Sequence, residues 1–147
     1  MVFMIIIVGT VLLDQIVKIM VRSHMALGES IPIVENIFHL TYIENSGAAF
    51  GMFQGKIVFF IVFTLIMVGM LIYFYWQQNN RNTLFAYSLG LIIGGAIGNL
   101  IDRMTRSVVT DMFDFRIWPV FNIADMAVVI GLIYVGYCLL FHGEDYF

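Results

Sequence analysis

The sequence predicts an all-α integral membrane protein with four transmembrane helices, and three observations predict it. The chain of 147 residues is 61% hydrophobic and only 12% charged, against about 25% charged residues in an ordinary soluble domain. Its mean hydropathy of +0.95 leaves too little polar surface to coat a globule in water. Four apolar stretches are each long enough to cross a hydrocarbon core of about 30 Å at roughly 1.5 Å of helical rise per residue. Most of the remaining polar residues gather at the ends of those stretches that share one side of the membrane. A length of 147 residues suits a single membrane domain covering 1–147.

The first stretch, about 2–21, is interrupted by Asp14 and Lys18. It lacks the basic start and small-residue cleavage site of a secretory signal, so it is expected to be a permanent helix. The second, 57–76, is twenty residues without a charge. The third, 84–103, carries Gly90, Gly94 and Gly98 at four-residue spacing, the small-residue pattern of closely packed membrane helices. The fourth, 121–141, contains Asp125 and Cys138. Spans in lipid must satisfy their own backbone hydrogen bonds, which selects helices over isolated strands. The aromatic residues of the second stretch, Phe59, Phe60, Phe63 and Tyr73 to Trp76, are expected to supply lipid-facing bulk and an interfacial belt.

The connections differ in kind. The polar run Gln77 to Thr83 reads as a short hairpin joining antiparallel helices. In the longer connection, residues 31–45 read as a β-ribbon, with short strands on either side of Glu35-Asn36. Met104 to Val120 reads as a mixed loop.

Four spans bring the first and third connections to one face. Asp14, Lys18, Asn45, Asn99, Asp102, Arg103, Asp111, Asp114, Asn122 and Asp125 all fall there. An acid inside a span costs about 2.5–3.5 kcal/mol even on insertion scales, so it is usually paired or functional. Asp14 and Lys18 stand four residues apart on one helix face and can neutralise each other. Asp125 has no base within helical reach downstream. The basic residues form no run, so nucleic acid is not expected as a partner. The scattered His24, His39 and His142 and the lone Cys138 match no metal-ligand spacing, so neither a metal nor a cofactor is expected.

Neither a serine–histidine–acid set nor a cysteine gathers on this face. Two carboxylates do: Asp111 before the fourth helix and Asp125 within it, with Asp114 as a rival for the first place. Neighbouring carboxyls that share one proton provide a general acid and a general base together. Such a pair activates water against an amide without metal or covalent intermediate. Asn45, Asn99 and Asn122 can hydrogen-bond carbonyls and carboxylates without adding charge.

Five ordered blocks carry a family resemblance: Asp14-Gln15-x-x-Lys18, Asn45-x-Gly47-Ala48-Ala49-Phe50, Gly95-Ala96-x-Gly98-Asn99-x-x-Asp102-Arg103, Val109-x-Asp111, and Phe121-Asn122-x-Ala124-Asp125. Together they resemble the signature of bacterial lipoprotein signal peptidase, the type II signal peptidase. The resemblance implies four helices with cytoplasmic termini and a small extracytoplasmic β-cradle, in the bacterial cytoplasmic (inner) membrane with the active site toward the extracytoplasmic face. It implies an aspartic endopeptidase that cleaves prolipoproteins just before a diacylglyceryl-modified cysteine. By position, Asp111 and Asp125 resemble the catalytic dyad. Asp14, Lys18, Asn45, Gly47, Asn99, Arg103, Asn122 and Ala124 resemble residues that shape the site and hold substrate. Membrane lipid and globomycin-type cyclic peptide inhibitors are implied as partners.

Two features depart from the pattern. Thr110 and Met112 stand where the family commonly has valine and phenylalanine. Six of the seven bases, all but Arg81, lie on the implied outer face, against the positive-inside tendency. The competing function is a proton- or ion-coupled transporter subunit, which would place acids at both faces or the midplane, often with an inverted repeat.

Overall fold

The computed structural model describes residues 1–47, 55–77 and 83–141, apart from the side chain of residue 139. The apolar stretches form α1 (Val2–His24), α2 (Ile57–Gln77), α3 (Thr83–Arg106) and α4 (Ile123–Phe141). The first three are long and apolar enough to cross a membrane. The 19 residues of α4 rise about 28 Å, a shorter span that packs along α3. The protein is a multi-pass membrane protein. The Gln77 to Thr83 connection falls largely outside the described residues, as do Ala48 to Phe50 of the second motif block.

The bundle is organised around α3, which packs against α1, α2 and α4. Its small residues allow this. A Cβ at Gly90 or Gly94 would strike Ile6 or Thr10 of α1 at 2.9 and 2.7 Å, so the two backbones meet closely. Gly95 faces the backbone of Ala124 on α4, and Gly98 faces both Asp14 and Ala124. In lipid there is no hydrophobic drive between helices, so such close van der Waals contact does the holding. The expected small-residue packing is therefore present on two faces of one helix. Side chains such as Ile5, Leu12 and Ile16 of α1 and Val58, Val62 and Leu65 of α2 face outward, as a lipid solvent favours.

Two aromatic expectations need correction. Tyr75 of α2 is buried and stacks on Phe3 at 3.8 Å between ring centroids, and the Phe60 ring lies under a guanidinium, so neither is simply lipid-facing.

A three-stranded antiparallel sheet covers one end of the bundle, in the order β1 (Ser30–Val34), β2 (Phe38–Asn45), β3 (Val109–Asp114). The first two strands are the expected ribbon, turning at Asn36 with φ 59. The third corrects the expectation of a loop over Met104 to Val120. Here α3 continues to Arg106 and closes at Ser107, which adopts φ 64 and donates its N–H to the Arg103 carbonyl at 3.1 Å. β3 then pairs with β2, setting Ile43 opposite Asp111 and Asn45 opposite Val109. The strand is buried along nearly its whole length between β2 and the helices, so it shows no alternation of apolar and polar residues. After β3, Phe121 pairs with Phe113 in an isolated bridge that brings Asn122 back to the strand.

Candidate active site

α4 begins with a reciprocal cap. The Asn122 side-chain oxygen accepts the Asp125 N–H at 2.9 Å, and the Asp125 carboxylate accepts the Asn122 N–H at 3.3 Å. This is a capping box written with Asn and Asp, and it explains why an amide and an acid recur three residues apart at the start of an apolar helix. The next free helix N–H, that of Ala124, donates to Asp14 of α1 at 2.9 Å. The start of α4 is thus fixed from two directions.

Because the Asn122 oxygen faces the helix, its amide nitrogen faces β3. It donates to Asp111 Oδ1 at 2.6 Å, to Asn99 Oδ1 at 3.0 Å and to the Thr110 carbonyl at 3.3 Å. Asn45 of β2 donates to the other Asp111 oxygen at 3.1 Å. Asn99 of α3 donates to Asp125 Oδ1 at 2.7 Å. One asparagine therefore touches both carboxylates, and two more hold one each.

The orientation of Asn99 follows from Lys18. This lysine is fully buried, and its ammonium meets three acceptors: Asp14 Oδ2 at 2.9 Å, Asn99 Oδ1 at 2.8 Å and Asp102 Oδ2 at 3.2 Å. An ammonium has three protons and accepts nothing. The Asn99 atom facing it must be oxygen, which leaves the Asn99 nitrogen for Asp125. Pairing of Asp14 with Lys18, expected from their spacing, is present, and the pair also orients the amides above it. A buried charge needs such partners.

The carboxyls of Asp111 and Asp125 line one cavity of about 350 Å³ with Asn45, Gly47, Asn99 and Arg103. Its remaining wall is apolar, including Val109, Trp118, Phe121 and Val129. Burial, and then the charge of Asp125, push the Asp111 carboxyl up to about 7, against the opposing hydrogen bonds from Asn45 and Asn122. Arg103 points its guanidinium over the Phe60 ring, 4.9 Å from the centroid, and donates to the Gly47 carbonyl at 3.4 Å.

Among the described residues, Asp14, Lys18, Asn122 and Ala124 stand behind the cavity wall rather than in it. Their contacts hold the acids from behind. Asp114, the rival acid, faces elsewhere. Successive strand residues alternate sides, so a residue three positions from Asp111 points to the opposite face. Although desolvation opposes it, hydrogen bonds from the Arg116 N–H, the Thr41 hydroxyl and the Arg116 guanidinium hold the Asp114 carboxyl below the usual range. Sequence reasoning missed the site roles of Trp118 at the cavity rim and of Asp102 behind it. Asp102 lay in a recognised motif block, and its near-complete burial was the missing signal.

The gathering of acids at one end of the bundle runs against the transporter alternative, and so do the known proteins this chain resembles. Residues 6–141 match the family described as Peptidase_A8: Signal peptidase (SPase) II. The lipoprotein signal peptidase of Halothermothrix orenii is 49% identical over 131 residues, covering 89% of each chain. That of Caldanaerobacter subterraneus subsp. tengcongensis is 44% identical over 140 residues, covering 95% of this chain and 96% of its own. A solved bacterial membrane enzyme, determined by the in meso method at 2.3 Å resolution, superposes with a TM-score of 0.91 at 33% identity, over 97% of this chain and 90% of that one. The protein is a membrane peptidase, and it belongs to the signal peptidase II family.

Proposed function

We propose that this peptidase is an aspartic endopeptidase that removes signal peptides from prolipoproteins by cutting before a diacylglyceryl-modified cysteine, with Asp111 and Asp125 as its catalytic residues. The observation that carries this reading is one residue, Asn122, whose side-chain nitrogen donates to the Asp111 carboxyl and whose backbone N–H donates to the Asp125 carboxyl beside one cavity. Burial and the neighbouring charge push Asp111 up to about 7, which favours Asp111 as the acid of the pair and Asp125 as its base. The Asp125 carboxylate then takes a proton from the attacking water. Asp111 donates to the carbonyl oxygen as the water oxygen bonds to the scissile carbon, giving a gem-diol. The proton gained by Asp125 then passes to the leaving nitrogen as the C–N bond breaks, and a gem-diol hydroxyl returns its proton to Asp111 as the new carboxyl forms. Arg103 and the asparagines fix the reacting groups without needing water to reorganise.

The relatives' names supply the substrate class, and a largely apolar cavity wall suits a chain drawn from lipid. The same family argument favours a bacterial cytoplasmic membrane with the site outward. The test is to incubate the protein in vesicles with a diacylglyceryl-modified prolipoprotein and weigh the products. The expected product begins at the lipid-bearing cysteine. An uncut precursor, or equal cutting of a precursor lacking the lipid, would contradict the proposed substrate.

A further inference from the structure

Thr110, immediately before Asp111, is completely buried, and each of its polar atoms is held by a different part of the bundle. Its N–H donates to Asp102 Oδ2 of α3 at 3.0 Å. Its hydroxyl accepts from Arg22 Nη1 of α1 at 3.0 Å. Its carbonyl accepts from Asn122 at the start of α4 at 3.3 Å. β2 runs alongside this stretch, with Glu44 opposite Thr110 and Ile43 opposite Asp111, and the ladder becomes irregular beyond Ile43, toward Leu40.

Asp102 is the hub of the arrangement. It is 1% exposed and faces Lys18 at 3.2 Å, Gln15 at 3.2 Å and Arg22 at 3.6 Å besides the Thr110 N–H. The Lys18 ammonium it touches is the one that sets the Asn99 amide toward Asp125. One carboxylate therefore reaches Asp111 through the Thr110 backbone and Asp125 through Lys18 and Asn99. The Thr110 hydroxyl, a departure from the family's usual valine, lets Arg22 hold the side chain of the residue whose N–H Asp102 holds.

We infer that Asp102 and Arg22 are positioning residues that hold the Thr110–Asp111 peptide and so set the spacing of the two acids, an inference that rests on the proposed dyad. Neither lines the cavity that holds the two acids, so their loss is expected to act on turnover rather than on substrate capture. A displacement of about 1 Å in a reacting group costs on the order of a hundred-fold in rate.

The experiment measures kcat and KM for prolipoprotein cleavage by Asp102→Asn, Asp102→Ala and Arg22→Met, beside Asp111→Asn. Asn keeps an oxygen for the Thr110 N–H, whereas Ala keeps none. The expected order of kcat is native, then Asp102→Asn, then Asp102→Ala, the last reduced by about ten- to a hundred-fold with KM within about two-fold. Arg22 is partly exposed, so Arg22→Met tests the inference even if Asp102→Ala does not accumulate. It should lower kcat by about three- to ten-fold with KM unchanged. Native kcat in both Arg22→Met and Asp102→Asn, beside an inactive Asp111→Asn, would overturn the positioning role alone. An active Asp111→Asn would overturn the dyad itself.

Discussion

At the scale of single residues, the site is governed by amide direction. Lys18 can only donate, so Asn99 turns its oxygen inward and its nitrogen to Asp125. Asn122 is turned by the helix cap it makes, which aims its nitrogen at Asp111. The proton is the other variable. Since Asp111 is pushed up to about 7 by burial and by Asp125, its proton-bearing form is lost as pH rises through that value. Cleavage should fall over the same range, and a rate that keeps rising well above pH 7 would contradict the assignment. Stability carries the same sign. Between about pH 4 and pH 7 the folded protein holds a proton that the unfolded chain releases, so the contribution of Asp111 to stability falls as pH rises. Asp111→Asn should therefore unfold at a higher temperature than the native protein at pH 8, with the difference shrinking toward pH 4.

At the scale of elements, the helices and the first two strands were legible because each is written in local pattern. Apolar runs of spanning length need no partner to be recognised, and the ribbon around Glu35-Asn36 carries its own turn. β3 was not legible. Its sequence, Val109-Thr-Asp-Met-Phe-Asp114, is buried by β2 on one side and the bundle on the other. That burial is decided by residues distant in the chain. The two acids could be found as letters in the sequence. The Lys18–Asn99 and Asp102–Thr110 links that hold them could not, because they join helices and strand only after folding. The glycine stripe was legible and is testable. A side chain at Gly94 would meet Thr10 at 2.7 Å and the Ile7 carbonyl at 3.0 Å, whereas Gly9 has nothing within 4 Å. Gly94→Leu should destabilise the protein by about 1–3 kcal/mol in a detergent thermal melt, and Gly9→Leu should leave it nearly unchanged. Equal melting temperatures for the two variants would argue against close α1–α3 packing.

At the scale of the whole molecule, the polar end of the bundle carries six of the seven Lys and Arg residues, together with eight of the ten acids. Lys18, Arg22, Arg106 and Arg116 are ion-paired within the fold, with Asp14, Asp102, Glu44 and Asp114. These pairs neutralise four of the six bases at the site end, which is consistent with the proposed outward orientation. In intact cells, a cysteine placed at exposed Ser107 should react with a membrane-impermeant thiol reagent, and one at exposed Gln77 should not. The native Cys138 is buried and should stay silent. Labelling at Gln77 alone would reverse the proposed topology.

The central claim for the molecule is that Asp111 and Asp125 act as one proton-sharing pair while Asp114 serves the sheet. It is tested most directly by prolipoprotein cleavage with Asp111→Asn, Asp125→Asn and Asp114→Asn, at equal amounts of folded protein in the membrane. Asparagine keeps the shape of aspartate but cannot exchange the proton. Loss of acid–base participation costs about 10²–10⁴-fold, so the first two variants should fall to background while Asp114→Asn retains most of its activity. Substantial cleavage by Asp111→Asn or Asp125→Asn, or an inactive Asp114→Asn beside an active Asp111→Asn, would contradict it.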